Sequence, residues 1–301
     1  MDGERRSMTA GATRALLSGL VDYAGLFPPA GLGMAAAAAE YARYREEETA
    51  WMLGRFVLPA ARLDELEAAA PWKKAAAPWP LSALVGPSPA AHAREVTAFS
   101  ERQRGRATVG AVELAASSRP QLEAALAATP PDLEVFVEVP LDSDLPGLLA
   151  VVKARGARAK VRTGGVTPEA IPGPASLARF LAACAAANVP FKATAGLHHA
   201  LRGTYPLTYE PGAPRATMHG FLNVFAAAAF ARSGMQAPEL EELLQETDGE
   251  HLRLEEEALS WRDRRIDATG LAAARCGFAL SFGSCSFREP VAELRSLGVL
   301  R

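Results

Sequence analysis

Short apolar runs alternate with longer, one-sidedly apolar stretches over most of the chain. The runs at 21–30 (VDYAGLFPPA), 51–60 (WMLGRFVLPA), 80–86 (PLSALVG), 107–116 (ATVGAVELAA) and 132–140 (DLEVFVEVP) have strand length and bury well on a sheet. Helical stretches lie between them. They are the alanine-rich 33–48, with Tyr41 and Tyr44 on one face, then 61–70, 89–103, a segment opened by Ser117 or Ser118 as N-cap, and PGLLAVVKARG, stopped by Gly156. Next comes 159–199, which reads AKVRTGG, an alanine-rich helix at 175–188, and PFKATAGLHH. Strand, helix, strand at this spacing predicts a βαβ unit and a parallel strand pair. The rhythm then breaks. A Pro/Gly/Tyr-rich loop (200–217), a helix (219–231), a highly charged helical stretch (238–264) and a short helix (268–275) precede a last strand, FALSFGSCSF (278–287), and a helix at 289–297.

Eight β-runs alternating with helices predict a parallel sheet, and eight units closing on themselves give a (β/α)8 TIM barrel. An open doubly wound sheet is the other arrangement. It usually carries a glycine-rich phosphate loop after the first strand, where this chain has LFPPAG. The expected organisation is one domain over 1–301, with a helical insertion at about 200–270 on the rim where barrel enzymes do their chemistry. The acidic helix of that insertion reads as a solvated face, or otherwise as a homo-oligomer contact.

Composition narrows the function classes. At 49% hydrophobic residues over 301 positions, a full core is affordable and disorder is not expected. A formal charge of −2 with mixed signs lacks the electrostatic footprint of a nucleic-acid or membrane-surface binder, which leaves a small molecule as the expected partner. Cys184, Cys276 and Cys285 make no disulfide framework and no metal-type CxxC, so a reducing cytoplasm is the expected compartment. The N-terminus lacks an apolar core for a signal peptide, and no run approaches a membrane span.

Polar residues near the C-terminal strand ends are the candidates for chemistry. The first five strands offer Asp22, Arg55, Glu113 and Glu138; the sixth offers Lys160, Arg162 and Thr163; the seventh offers Lys192, Thr194, His198 and His199; the eighth offers Ser281, Gly283, Ser284, Cys285 and Ser286. Period-two alternation puts Lys160 with Arg162, and Lys192 with Thr194, on one strand face, and helices must cover the other, so the charged face is interior. Two ammonium groups buried side by side depress a lysine pKa, and a neutral amine attacks carbonyls to form a Schiff base. The competing reading pairs both lysines with Glu113 and Glu138 as plain salt bridges. Asp22 either orients a lysine or substrate hydroxyl, or bridges to Arg55. The turn 283–286 either binds an anion, with Arg162 as second contact, or caps the last helix. His198 or His199 is an acid–base candidate; the spacing with His219 is not that of a metal motif, so no metal or other cofactor is expected. Cys285, near a helix start, is a nucleophile candidate without an identifiable partner. His219 and Asn223 share a helix face that either looks into the pocket or packs under the insertion, and Tyr205 and Tyr209 are either lid residues or ordered surface.

K-x-x-T-G at 160–164 and K-A-[S/T]-x-G at 192–196 resemble the sixth and seventh strands of the deoxyribose-phosphate aldolase family of class I aldolases. VDYAGLFPPA resembles its Asp-containing first strand, LEVFVEV its fifth, and FGSCSF its phosphate turn. The resemblance implies Lys160 as the Schiff-base lysine and Lys192 as the partner that lowers its pKa. The family's acid on the fourth strand would fall near Ala115, so its proton-transfer role moves to Glu113 or Glu138. The leading expectation is therefore a metal-independent aldolase-type lyase acting on a small carbonyl compound that carries or lacks a phosphate. A metal-dependent lyase or isomerase using His198 or His199 with Glu138, and a non-catalytic ligand-binding barrel, are the alternatives.

Overall fold

The computed structural model describes residues 11–72, 77–86, 89–142 and 144–300; the stretch read above as lacking a signal peptide lies largely outside them. Seven parallel strands come first: β1 (Val21–Tyr23), β2 (Leu53–Pro59), β3 (Trp79–Leu84), β4 (Ala107–Ala115), β5 (Glu134–Glu138), β6 (Arg158–Arg162) and β7 (Phe191–Thr194). Five short strands follow outside the barrel. β8 (Gly203–Pro206) and β9 (Arg215–Met218) form a hairpin, and β10 (Leu252–Leu254), β11 (Ala258–Trp261) and β12 (Arg264–Asp267) form an antiparallel sheet. The last barrel strand, β13 (Ala279–Ser284), pairs in parallel with both β7 and β1 and closes the circle. The fold is thus the eight-stranded (β/α)8 barrel expected from the alternation.

The helices are α1 (Ala12–Leu17), α2 (Met34–Tyr44), α3 (Leu63–Ala69), α4 (Pro89–Arg102), α5 (Arg119–Ala127), α6 (Leu145–Ala154), α7 (Pro174–Ala187), α8 (Phe221–Arg232), α9 (Ala237–Gln245), α10 (Ala268–Gly277) and α11 (Arg288–Ser296). Their ends follow local chemistry. Asp144 accepts from the Gly147 amide at 3.1 Å to start α6, and Asp267 does the same for Gly270 at 2.8 Å to start α10. Asn188 closes α7 in the left-handed region at φ 53°. Tyr41 and Tyr44 of α2 lie on the buried face, where Tyr41 meets Trp79 edge-on at 4.8 Å between ring centroids and donates to the Gly54 carbonyl at 2.8 Å. The stretch 168–187 is long and apolar enough by composition to cross a membrane, contrary to the sequence reading, but its α7 part packs against α6, α8 and α9, with Leu177, Phe180 and Leu181 buried.

The segment between β7 and β13 differs from the expected helical insertion. Its first loop is the β8–β9 hairpin, and the charged stretch expected to be helical is helical only over α9; from 252 to 267 it is a three-stranded sheet. The physical reason is a period of two hidden among charges. Leu252 and Leu254 are buried on either side of exposed Arg253, Leu259 and Trp261 flank half-buried Ser260, and only Ile266 of β12 turns inward. Arg262, in the left-handed region at φ 53°, makes the tight return from β11 to β12. In α8, Phe221–Ala231 is buried on every side, because α7, α9 and α10 cover the face that a barrel helix ordinarily shows to water.

Inside the barrel the side chains form layers. Phe136, fully buried, separates a lower group, where Arg55 (2.7 Å) and Arg158 (3.3 Å) pair with Glu134, from an upper group of charges. The Lys192 ammonium stands 5.3 Å from the Phe136 ring centroid, and the Arg55 and Arg158 guanidinium carbons stand 5.9 and 5.8 Å from it.

Candidate functional site

The upper group is a chain of alternating charges that runs from the barrel centre to its mouth. Lys160 and Lys192 are directly paired in the β6–β7 register, and Glu138 is paired with Lys160 across β5 and β6, so the three side chains enter the interior side by side. Glu113 enters one layer deeper, because Ala115, not Glu113, is level with Glu138. From inside outward the contacts are Asp22 Oδ2 to Lys192 Nζ at 2.6 Å, Lys192 Nζ to Glu113 Oε1 at 2.7 Å, Glu113 Oε2 to Lys160 Nζ at 2.9 Å, Lys160 Nζ to Glu138 Oε2 at 3.1 Å, and Glu138 Oε1 to Arg162 Nε at 2.9 Å. Three carboxylates balance three cations. Side-chain exposure rises along the chain from 1–2% at Asp22, Lys192 and Glu113, through 5% at Lys160 and 21% at Glu138, to 53% at Arg162.

Each inner carboxylate has further donors. Ser82 donates to Glu113 Oε1 at 2.8 Å; Ser281 donates to Asp22 Oδ2 and the Arg55 amide to Asp22 Oδ1, both at 2.8 Å. The Arg55 guanidinium goes to Glu134 instead, so Asp22 orients Lys192 and does not bridge to that side chain.

Carboxylates, not the other lysine, dominate the surroundings of Lys192. Burial acts to neutralise Lys192, but Asp22 and Glu113 outweigh it and raise its pKa above the ordinary lysine value. Burial likewise opposes the charge on Glu113, yet the ammonium groups of Lys192 and Lys160 hold its carboxyl far below the usual range; Glu138 is lowered in the same way by Lys160 and Arg162. Glu113 lies between the two lysines and contacts both, so the bare cation beside Lys160 that the resemblance implied is screened by a carboxylate.

A cavity of about 270 Å³ opens onto this chain, lined by Lys160, Lys192, Glu113, Glu138 and Arg162 and by Thr194, His198, Gly283 and Cys285. A second hollow of about 270 Å³ adjoins it under the β8–β9 hairpin and shares His198, Ala195, Gly165 and Pro28 with it; His199 and Tyr209 line this outer one. The glycines that end both lysine motifs have a structural reason. A Cβ on Gly164 would meet Gly196 Cα at 2.9 Å, and one on Gly196, already at φ +78°, would meet Gly164 Cα at 2.7 Å. Thr163 closes the same seam: it is 1% exposed and its hydroxyl donates to the Ala195 carbonyl at 2.6 Å, which turns it away from any ligand.

The strand-eight turn is occupied by its own contacts. Ser286 Oγ accepts from the Glu289 amide at 3.2 Å at the start of α11, and Ser284 Oγ accepts from the Ser286 amide at 3.3 Å. Glu289 and Glu293 of α11 face this turn and the loop after β7, and the cation beside the turn, His198, is already paired with Glu289. Arg162 lies on β6, with β7 between it and β13, and among the described residues only its Nε is engaged, with its terminal nitrogens open to the mouth.

β7 ends at Thr194, so His198 and His199 sit in a loop and are not forced to opposite faces. His198 Nδ1 lies 2.9 Å from Glu289 Oε2, and His199 Nδ1 lies 2.5 Å from Glu293 Oε1 while its ring stacks on Tyr205 at 3.4 Å. Both are therefore committed to α11, whereas Glu138 is committed to Lys160 and Arg162; no three acidic, histidine or cysteine side chains among the described residues are arranged to hold a metal ion. His219 and Asn223 pack under the insertion: His219 Nε2 is 2.8 Å from the Pro172 carbonyl, and Asn223 donates to the Leu243 and Glu246 carbonyls at 3.0 and 2.8 Å. Sequence reasoning missed Ser82 and Glu289. Ser82 has the inward parity of its strand and was legible in that sense; Glu289 carries no signal outside the tertiary structure.

No family model matches the chain, and a search of curated proteins found no match either.

Proposed function

We propose that the protein is a lyase of class I aldolase type in which Lys160 forms an imine with a small carbonyl substrate. The observation that supports this reading is the charge chain. Lys160 borders the cavity between a buried carboxylate, Glu113, and a half-open one, Glu138, at 2.9 and 3.1 Å. Imine formation requires the amine to give up a proton and the carbonyl oxygen to leave as water, and an adjacent acid–base group in contact with solvent assists both transfers. Glu138 is such a group. Glu113 supplies the strand-four acid that the aldolase resemblance would have put near Ala115. Lys192, held charged by Asp22 and Glu113, is a fixed cation that favours electron flow toward the iminium and compensates the inner carboxylates when Lys160 becomes neutral. The open terminal nitrogens of Arg162 fit an anionic group on the substrate, in place of the 283–286 turn.

A second reading has its own supporting observation: each lysine ammonium already contacts two carboxylates, as a purely structural network would require. In that case the barrel binds a small ligand without turnover. Borohydride trapping separates the two. The protein is incubated with small aldehydes, ketones and keto acids, reduced, and read by intact mass and peptide mapping. The aldolase reading expects a stable adduct on Lys160, absent in Lys160→Met. A folded protein that gives no adduct, or an adduct that persists in Lys160→Met, overturns it.

A further inference from the structure

The same cavity is lined by a second reactive group, which the imine chemistry does not use. Cys285 is 5% exposed and lines the cavity wall. Its Sγ lies 3.8 Å from His198 Nε2 and 4.0 Å from Nδ1. His198 Nδ1 is 2.9 Å from Glu289 Oε2, and the Tyr209 hydroxyl donates to the same carboxylate oxygen at 3.0 Å while standing 3.5 Å from Cys285 Sγ. Ser284 Oγ is 3.5 Å from His198 Nδ1. Thiol, imidazole and carboxylate thus come from β13's end, the loop after β7 and the first turn of α11, with a tyrosine from the hairpin closing the group.

This is the order of roles that nucleophilic thiol catalysis needs: an imidazole beside the sulfur that relays its proton, and an anion that orients the imidazole. Burial works against protonation of His198, yet its hydrogen bonds to Cys285 and Glu289 prevail and push its pKa up to about 9. A packing cluster would need no open volume beside the sulfur, whereas here about 270 Å³ adjoins it. The other two cysteines are built differently. Cys184 is buried in α7, where burial pushes its thiol up, and Cys276 is exposed on α10.

We propose that Cys285 is a nucleophilic thiol that takes a small aldehyde from this cavity as a covalent ligand, with His198 as proton carrier oriented by Glu289. The step balances without a co-reactant. Sulfur attacks the carbonyl carbon and a C–S bond forms. His198, charged near neutral pH, gives its proton to the former carbonyl oxygen and takes up the thiol proton in exchange. The product is a hemithioacetal, which reverts by the same path. The groups that face this chemistry are His198, Glu289, Tyr209 and Ser284 around the sulfur, Tyr23 from β1, and the charged chain that lines the same cavity. The proposal does not depend on Lys160 forming an imine.

The test uses the full chain and iodoacetamide, whose alkylation of sulfur releases iodide, with the three cysteine peptides quantified over time. Cys276 is the internal reference for an ordinary thiol. At neutral pH Cys285 is expected to react at least tenfold faster than Cys276, and His198→Gln or Glu289→Gln is expected to bring it to within about twofold of Cys276. Glycolaldehyde should protect Cys285 and leave Cys276 unprotected, equally in the native chain and in Lys160→Met. Reaction no faster than Cys276 in the folded protein overturns the proposal. So does protection that vanishes in Lys160→Met, since the aldehyde would then reside on the lysine and only obstruct the sulfur. If His198→Gln does not fold, Glu289→Gln carries the same comparison. Loss of borohydride trapping with thiol protection intact would refute the lysine reading alone.

Discussion

Glu113 is the keystone of the charge chain, and its replacement by Gln gives the sharpest test of what the chain does for the fold. Glu113→Gln keeps the volume and a partner for Ser82, but removes the negative charge between Lys192 and Lys160, which it meets at 2.7 and 2.9 Å. Lys192 is left with Asp22, and Lys160 with Glu138, in an interior where the inner side chains are 1–5% exposed. Breaking a buried ion pair from one side costs about 3–5 kcal/mol, since a charge remains without compensation. Unfolding entropy of about 2.1 cal/mol/K per residue gives a 301-residue chain about 0.6 kcal/mol/K, so the melting temperature should fall by about 5–8 °C. Glu138→Gln should cost less, because Glu138 is 21% exposed and Lys160 retains Glu113. Calorimetry of the two variants beside the native chain checks this order. A Glu113→Gln shift under 1 °C, or a larger loss for Glu138→Gln, would refute the reasoning. The signs with pH follow from the same contacts. The lowered Glu113 pKa stabilises above the unfolded value of about 4.3 and the contribution is lost as pH falls through the folded value; the raised Lys192 pKa stabilises below about 10.4 and is lost as pH rises through its folded value. Glu113→Gln should therefore flatten the acid side of the stability profile.

Three further outcomes are expected. His219 is fully buried, and burial, with Arg202 alongside, lowers its pKa to about 4 against the bond to the Pro172 carbonyl. Acidification from about 6.5 to 4 should then cost about 3 kcal/mol, and a urea series across that range should show this loss reduced in His219→Gln. Arg275 gathers the carbonyls of Leu16 (2.7 Å), Ser18 (2.8 Å), Ala279 and Leu280, tying α1 to β13; Arg275→Lys cannot reach all four and should lower stability by about 2–4 kcal/mol in denaturant titration. Gly196→Ala sets a Cβ 2.7 Å from Gly164 Cα at a positive φ, so it should lower the melting temperature and also reduce any Lys160 adduct yield by widening the cavity wall; unchanged trapping would show that the seam does not position the site.

The alternation of apolar runs with amphipathic stretches was enough to place the eight barrel strands in order, because strands buried on both faces read as short apolar runs, although the first, expected over 21–30, spans only Val21–Tyr23 before the chain turns. Parity within β6 and β7 put Lys160, Arg162 and Lys192 on the interior face, and the structure brings them together with Glu113 and Glu138 around one cavity. Local periodicity failed at 252–267, where arginines and glutamates on the outer face of a small sheet mask its buried Leu, Trp and Ile positions. It also could not say which charge stands next to which. Whether two buried lysines repel or are paired depends on an angstrom-scale register across three strands, and that register set Glu113 between them and raised Lys192. In the same way, Cys285 found its imidazole and carboxylate only when the loop after β7 and the start of α11, 91 residues apart at His198 and Glu289, met at the barrel mouth. Periodicity is written along the chain, whereas the sign of an electrostatic interaction depends on distances across it that only tertiary closure sets.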